Sequence, residues 1–281
     1  MKNQNRTISN KTFSEERALY GEKNLTLINV KFSGKEDGES ALKEASNIKV
    51  LSSLFDLRYP LWHVNSLNIK DCVMSIHCRA PLWYSKNICI DNLDSKAPKS
   101  FRECSKIEIF NSSLVGDEEF WNCSDVQIKN SSIEGPYAFF GSKSIYLENV
   151  KFKGKYSFQY NKYLILKDSV LDTKDAFWHS KNVYCYNCVI KGEYLGWYSN
   201  NVTFVNCTIE SHQPLCYANN VKLINCKMPN CDLAFENSTV KGNLLEPIDS
   251  IKNPRKLKLI VTEVGEIINE APPYKVQYKI R

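Results

Sequence analysis

Aliphatic residues recur along this chain with a period of 19, at Ile107, Val126, Ile145, Leu164, Val183, Val202, Val221 and Val240. Leu25, Ile48, Leu67 and Ile88 extend the series upstream with small insertions, at intervals of 23, 19, 21 and 19 residues. Two residues after each comes another apolar side chain, such as Ile109, Ile128, Leu147 or Leu223. That alternation is the signature of a strand with one buried face. Two further on stands a short amide, acid or serine: Asn29, Ser52, Asp71, Asn92, Asn111, Asn130, Asn149, Asp168, Asn187, Asn206, Asn225. A small or aliphatic residue follows, then a large apolar one (Met74, Leu114, Ile133, Phe152, Leu171, Ile190, Ile209), and often a Gly at 34, 116, 135, 154 or 192. Each unit therefore reads as a short strand, a bend, a second strand and a glycine turn.

Nineteen residues are too few for a helical hairpin repeat. One such unit cannot bury its apolar side alone, so successive units must stack, with equivalent residues one strand spacing (~4.8 Å) apart. The prediction is an all-β fold, a single-stranded right-handed parallel β-helix of roughly eleven coils and about 50 Å. Its handedness follows the general rule for parallel crossovers. The Asn column forms an amide ladder at the bend, and the Phe column (Phe101, Phe120, Phe139, Phe158, Phe177) points inward. The whole chain, 1–281, reads as one domain. Residues 1–24 are an N-terminal cap, 25–240 the coils, and 241–281 a C-terminal cap with a basic tail.

Composition narrows the function classes. Of 281 residues 43% are apolar and 24% charged, enough for a core and too apolar for a disordered chain. The net charge of +6 comes in good part from the segment after Thr239, so the body is near balance and no nucleic-acid partner is expected. No apolar run reaches membrane-spanning length and the start lacks a signal-peptide core, which predicts a cytoplasmic chain without membrane contact. Its 11 cysteines are then thiols, several of them in tight inner columns (Cys72, Cys188, Cys207 and Cys226; Cys104 and Cys123). No nucleotide or cofactor motif is present, the histidines are scattered, and neither a metal site nor a cofactor is expected.

The informative residues are aromatic. Trp62, Trp83, Trp121, Trp178 and Trp197 share one column with Phe140, Phe235, Arg102, Gln159 and Cys216. Arg and Gln do not belong in a dry core, which places this column outward or at the boundary. The next column adds His63, Tyr84, Tyr160, His179, Tyr198 and Tyr217. Together they predict an aromatic side face, suited to sugar rings or to another subunit; the plain alternative is an internal aromatic stack or a face covered by a cap. Charges gather just upstream: Arg79, Lys99, Asp117, Glu118 and Glu119, Lys174 and Asp175, Glu193. Asp175 and Glu193 lie 18 residues apart, hence on adjacent coils, where two carboxylates could act as acid and base on a glycosidic bond. Their plain alternative is a solvated turn, with Asp175 and Glu193 paired to Lys174 and Lys155.

Several segments then become familiar: EERALY at 15–20, DGESALKE at 37–44, RYPLWH at 58–63, APKSFRE at 97–103, TKDAFW at 173–178, GEYLGW at 192–197 and IDSIKNP at 248–254. Over about residues 6–268 the chain resembles a family of bacterial proteins carried as a domain of unknown function and thought to be parallel β-helices. That resemblance implies a fold similar to pectin lyases and polygalacturonases, and it implies no activity. The expected function is to bind or process a carbohydrate along the aromatic face. Catalysis would fall to Asp175 and Glu193, and binding to Trp62, Arg79, Trp83, Tyr84, Arg102, Trp121, Tyr156, Lys174, Trp178, Tyr194, Trp197 and Tyr217. The candidate partner is an oligosaccharide or sugar derivative. The alternative is a non-enzymatic scaffold or homodimer that uses the same face as its seam.

Overall fold

The 19-residue pattern winds the backbone into stacked turns. The structure, a computed structural model, describes residues 6–34, 39–270 and 275–280. The chain divides into two compact units, Met1–Phe139 and Phe140–Arg281. In the first, strands Arg6–Ser9, Lys23–Ile28, Ser46–Leu51, Asn65–Met74, Lys86–Ser95, Ser105–Phe110 and Ser124–Glu134 pair in series, each parallel to the next. In the second, the series is Lys143–Lys155, Lys162–Lys167, Lys181–Tyr186, Asn200–Val205, Asn219–Cys226, Thr239–Leu244, Lys256–Val261 and Lys275–Ile280. Both are parallel β-solenoids, about 14 turns in all with ~19 residues per turn.

That count exceeds the eleven coils expected from sequence. The segments expected as caps contain further turns: Arg6–Ser9 at one end, Lys256–Val261 and Lys275–Ile280 at the other. Residues 1–5 of the one segment and 271–274 and 281 of the other lie outside the described residues. The periodicity fades here for a physical reason. Arg6–Ser9 has few neighbours to bury it and is mostly exposed, so its sequence need not alternate apolar and polar residues.

Each turn has an outer amide ladder and inner polar rungs. The Asn column is exposed and its members adopt positive φ, 53° at Asn29 and 54° at Asn187, a region that Asn tolerates better than most residues. Amide Nδ2 donates to the Oδ1 one turn back: Asn29 to Asn10 at 2.7 Å, Asn92 to Asp71 at 2.7 Å, Asn187 to Asp168 at 2.8 Å. A second amide ladder, absent from the sequence reading, runs through Asn182, Asn201 and Asn220. The small inner residues also have a polar duty. Ser112 Oγ accepts from the Leu93 amide at 3.0 Å, Ser169 Oγ from Val150 at 3.0 Å, and Cys207 Sγ from Cys188 at 3.5 Å. Serine and cysteine thus alternate in one column because either can satisfy a buried N–H at a corner. The single CxxC spacing, Cys185 to Cys188, spans two different columns, Cys185 among Leu166 and Phe204 and Cys188 beside Cys207. No cluster of three metal-ligating side chains occurs among the described residues.

The third wall was read as a plain turn and has a regular conformation of its own. Positive φ recurs at every second residue: Asp175 at 55°, Phe177 at 62° and His179 at 56°, and again at Tyr156, Phe158 and Tyr160. Left-handed backbone costs a residue with a Cβ roughly 1–2 kcal/mol. Hydrogen bonds to the turns on either side offset it: Asp175 N donates to Glu193 O at 2.9 Å, Phe177 N to Ser157 O at 3.1 Å and His179 N to Trp197 O at 2.9 Å. The same alternation points phenylalanines inward. Phe101, Phe120 and Phe139 stack with centroids 4.5 and 4.7 Å apart and are all 0% exposed; in the second unit Phe158 and Phe177 are equally buried. Glycine is needed where a turn presses on its neighbour: at Gly192 (φ 154°) a Cβ would sit 2.0 Å from the Thr173 carbonyl oxygen.

Phe120→Ala removes a ring stacked on both sides. It should destabilise the fold by ~3–5 kcal/mol in denaturant titration. All eleven cysteines are free, and only Cys89 is not buried. Burial also holds the Cys72 thiol up to about 11 and that of Cys231 to about 12. A thiol reagent at neutral pH should therefore modify one cysteine at most in the folded protein and all eleven in denaturant.

Candidate functional site

The Trp column occupies the boundary, as its Arg and Gln members require, and every indole N–H is used. Trp62 Nε1 donates to Ala80 O at 2.6 Å, Trp83 to Lys99 O at 2.7 Å and Trp121 to Tyr137 O at 2.6 Å. In the second unit Trp178 donates to Tyr194 O at 2.6 Å, Trp197 to Gln213 O at 2.8 Å, and Gln159 Nε2 to Asp175 O at 3.1 Å. Each side chain therefore staples its own turn to a carbonyl of the next. That explains how Gln replaces Trp: the rung needs an N–H on a flat group.

The faces of these rings are largely taken. Trp62 and Trp83 stack at 5.1 Å and 6°, and the Arg102 guanidinium lies 4.5 Å from Trp83 and 4.8 Å from Trp121. In the second unit Trp178 and Trp197 stack at 5.4 Å and 8°. Phe235, expected in this column, belongs to the inner one and is 0% exposed. One extra residue in its turn shifts the register, so Tyr217 N reaches Glu236 O and Phe235 N reaches Pro214 O.

The next column makes a second, outer ladder. His63 stacks on Tyr84 at 4.9 Å in the first unit. In the second, Tyr160, His179, Tyr198 and Tyr217 stack at 4.9 Å per step. Tyr84, Tyr160 and Tyr198 are 39%, 50% and 46% exposed, so edges and hydroxyls face solvent while most faces do not.

The predicted residues thus fall into two groups. The first unit holds Trp62, Arg79, Trp83, Tyr84, Arg102 and Trp121. Arg79 is exposed. Glu118 bridges Lys99 and Arg102, its Oε1 2.7 Å from Lys99 Nζ and its Oε2 2.7 Å from Arg102. The second unit holds Tyr156, Lys174, Asp175, Trp178, Glu193, Tyr194, Trp197 and Tyr217. Asp175 and Glu193 lie on adjacent turns, joined through the backbone. Their side chains differ sharply: Glu193 is exposed and pairs with Lys174 at 2.6 Å, whereas Asp175 is 5% exposed. Burial raises the Asp175 carboxyl; Lys174 opposes the shift and Glu193 adds to it.

Two residues were missed. His212 follows Glu193 in register, and its Nδ1 lies 2.8 Å from both carboxylate oxygens of Asp232. Lys174, Glu193, His212 and Asp232 therefore form a charged column on consecutive turns. The Tyr194 ring meets His212 edge-on at 5.5 Å and carries the Lys174 ammonium 5.4 Å from its centroid. His212 and Asp232 are 20 residues apart, so a strict 19-residue register hides the pair; the extra residue of that turn is the signal that could have found it.

A family model matches residues 6–280, essentially the whole chain, with the description "Protein of unknown function (DUF3737)". The chain belongs to this DUF3737 family. No curated protein matches the sequence. Among solved structures it is similar to PfbA, a surface adhesin of Streptococcus pneumoniae, at 9% identity and TM-score 0.46, covering 94% of this chain and 85% of that one. It is similar also to the family 28 exopolygalacturonase of Yersinia enterocolitica, at 11% identity and TM-score 0.32 (98% and 71% covered). The A-module of the Azotobacter vinelandii mannuronan C-5 epimerase AlgE4 matches at 9% and 0.31 (98% and 91% covered). No helix among the described residues is long and apolar enough to cross a membrane.

In the first unit Glu119, next to the Glu118 bridge, turns inward and is 1% exposed. Its Oε1 accepts weakly from Ser100 N at 3.4 Å, and its Oε2 has no partner. Gly116 makes the room, since a Cβ there would lie 2.6 Å from Oε1. Burial raises this carboxyl to about 8, so it is mostly protonated at pH 7. Below the ordinary value of 4.5 both folded and unfolded states hold the proton, and stability is greatest. As pH rises towards 8 the unfolded chain gives its proton up first, and stability falls. Unfolding midpoints measured from pH 4 to 9 should show that decline in the wild type. Glu119→Gln should flatten it.

Proposed function

We propose that this protein binds carbohydrate on the aromatic wall of its second unit. The observation that carries the reading is the column Lys174, Glu193, His212 and Asp232, set beside the outer ladder of exposed Tyr160 and Tyr198 and half-buried Tyr217. Hydroxyl-rich ligands need donors and acceptors at close intervals together with flat apolar surface. The column supplies an ammonium, a carboxylate and an imidazole at ~4.8 Å steps, and the ladder supplies ring edges and phenol hydroxyls. Trp178 and Trp197 act beneath the surface, holding the rungs in register rather than stacking on sugar. In the first unit Trp62, Trp83, Arg102 and Trp121 play the same supporting part, with Tyr84 and Arg79 left at the surface.

We assign the wall to binding rather than to hydrolysis. A glycosidase pair needs both carboxylates open to the scissile bond; Asp175 is buried and Glu193 is engaged by Lys174. The eleven free thiols support a reducing, cytoplasmic setting.

Titration of the wild type with a panel of oligosaccharides should give saturable binding, reported by quenching of Trp197, whose ring lies 6.3 Å from Tyr198. Tyr198→Ala should weaken it about 10-fold, the worth of one good aromatic contact. Absence of saturable binding, or equal binding by the variant, overturns the reading. A fall in assembly mass caused by Tyr198→Ala would instead make the wall a homodimer seam.

A further inference from the structure

Charged side chains on consecutive turns of the second unit usually alternate in sign. Lys167 lies 2.7 Å from Glu148, Lys174 2.6 Å from Glu193 and Lys191 2.9 Å from Glu210, and Lys227 pairs with Glu246. Two columns on the first-strand sheet break that rule over three turns each; Lys155 in register with Lys174 and Lys256 with Lys275 are shorter exceptions. Lys143, Lys162 and Lys181 stand in direct register on three successive strands. Lys222, Lys241 and Lys258 do the same further along. Five of the six are exposed, Lys222 is half-buried, and among the described residues no carboxylate forms an ion pair with any of them. Like charges facing each other across strands destabilise a sheet, so these ladders oppose folding where alternation would support it.

The surroundings favour an extended ligand. Lys241 and Lys258 line a shallow groove of about 280 Å³ with Asn220, Thr239 and Lys256, and Arg255 reaches across Asn219 and Thr239 beside it. Only the strand Asn200–Val205 separates the ladders, and the second stands three residues further along its strands, in the column of Ile165, Tyr184 and Thr203. Neutral side chains flank both, with Ile165 and Tyr186 each 38% exposed and Ile224 42%. From the Lys143 strand to the Lys258 strand is six rungs, about 29 Å. We propose that this sheet face binds a linear acidic polysaccharide, one carboxylate per sugar, laid across the strands from the first ladder to the second.

The lysine spacing selects that partner. A polysaccharide with a carboxylate on each pyranose repeats its charge at every sugar, on the scale of the ~4.8 Å rung, so three stacked lysines meet a short run of its carboxylates. A duplex DNA strand places its phosphates ~3.4 Å apart along the axis, out of step with the ladders. Single strands bind through rows of open aromatic faces, and the exposed rings here, Tyr163 and Tyr186, stand on different rungs and columns. The partner class rests on the carbohydrate reading above; the surface does not, since it shares no residue with the aromatic wall.

The test is titration with polygalacturonate at several salt concentrations. Fully methyl-esterified polygalacturonate and single-stranded DNA serve as comparisons. Wild type should bind polygalacturonate, progressively less as salt rises, and should not bind the ester. Lys162→Gln with Lys181→Gln, and separately Lys241→Gln with Lys258→Gln, should each weaken binding roughly 25-fold, about 5-fold per surface cation. Removing repulsion, both pairs should also melt at or above the wild-type temperature, which shows that they fold. Failure of wild type to bind polygalacturonate, unchanged binding by both pairs, or tighter binding of DNA would overturn the proposal. Tyr198→Ala separates the two surfaces: polygalacturonate binding that survives it but is lost in the lysine pairs leaves this face standing even if the aromatic wall binds nothing.

Discussion

Everything in this protein depends on one constraint: each turn can satisfy its backbone only through the turns on either side. On the two strand walls that need is met by ordinary parallel ladders. At the corners it is met by side chains, with Ser112 Oγ or Cys207 Sγ accepting an amide that no carbonyl reaches. On the third wall it is met by a left-handed residue at every second position, which lets Asp175, Phe177 and His179 donate to neighbouring turns. An uncovered buried N–H costs about as much as the left-handed conformation that avoids it, and here the hydrogen bond prevails.

The same constraint explains why like residues stack. A neutral amide stacked on its own kind can both donate and accept, so Asn columns lengthen readily, and Asp71 and Asp168 enter them as acceptors. Flat rings gain from offset contact at one rung spacing, which suits Phe inside and Trp at the boundary. Arg102 can replace a Trp because a guanidinium is flat and cationic, and Glu118 neutralises it from the next turn. Glu119 is the misfit beside it: a carboxyl turned into a column otherwise filled by Ser100 and Ala138, tolerated because it keeps its proton.

The repeat made the solenoid legible from sequence, since period, alternation and the Asn bend are each set by local chemistry. The third wall was not legible. Phe and Tyr carry no propensity that announces positive φ, so 173–179 read as a turn. The end turns were hidden because strands with few neighbours need no apolar pattern. At the candidate site the columns were correct wherever the spacing stayed at 19 and failed where one residue was added. Phe235 moved inward there, and Asp232 came beneath His212. The adjacency of Asp175 and Glu193 followed from spacing, but the burial of one and exposure of the other did not. Side-chain direction in an alternating left-handed segment differs from that in a strand.

A solenoid also offers a way to tell structural from functional side chains without comparing sequences. Neutral columns favour repetition, and repetition in them needs no explanation beyond folding. Charged columns favour alternation, and Lys174 to Glu193 or Lys191 to Glu210 obey it. A column that repeats one charge works against the stacking that holds the fold together. Lys143, Lys162 and Lys181 have this property, as do Lys222, Lys241 and Lys258. On our proposal, the stabilising partner of such a column comes from outside the chain. The aromatic wall carries no such conflict: its rings and N–H groups are satisfied within the fold, and what it offers a ligand is the outer edge of a stack that would form in any case.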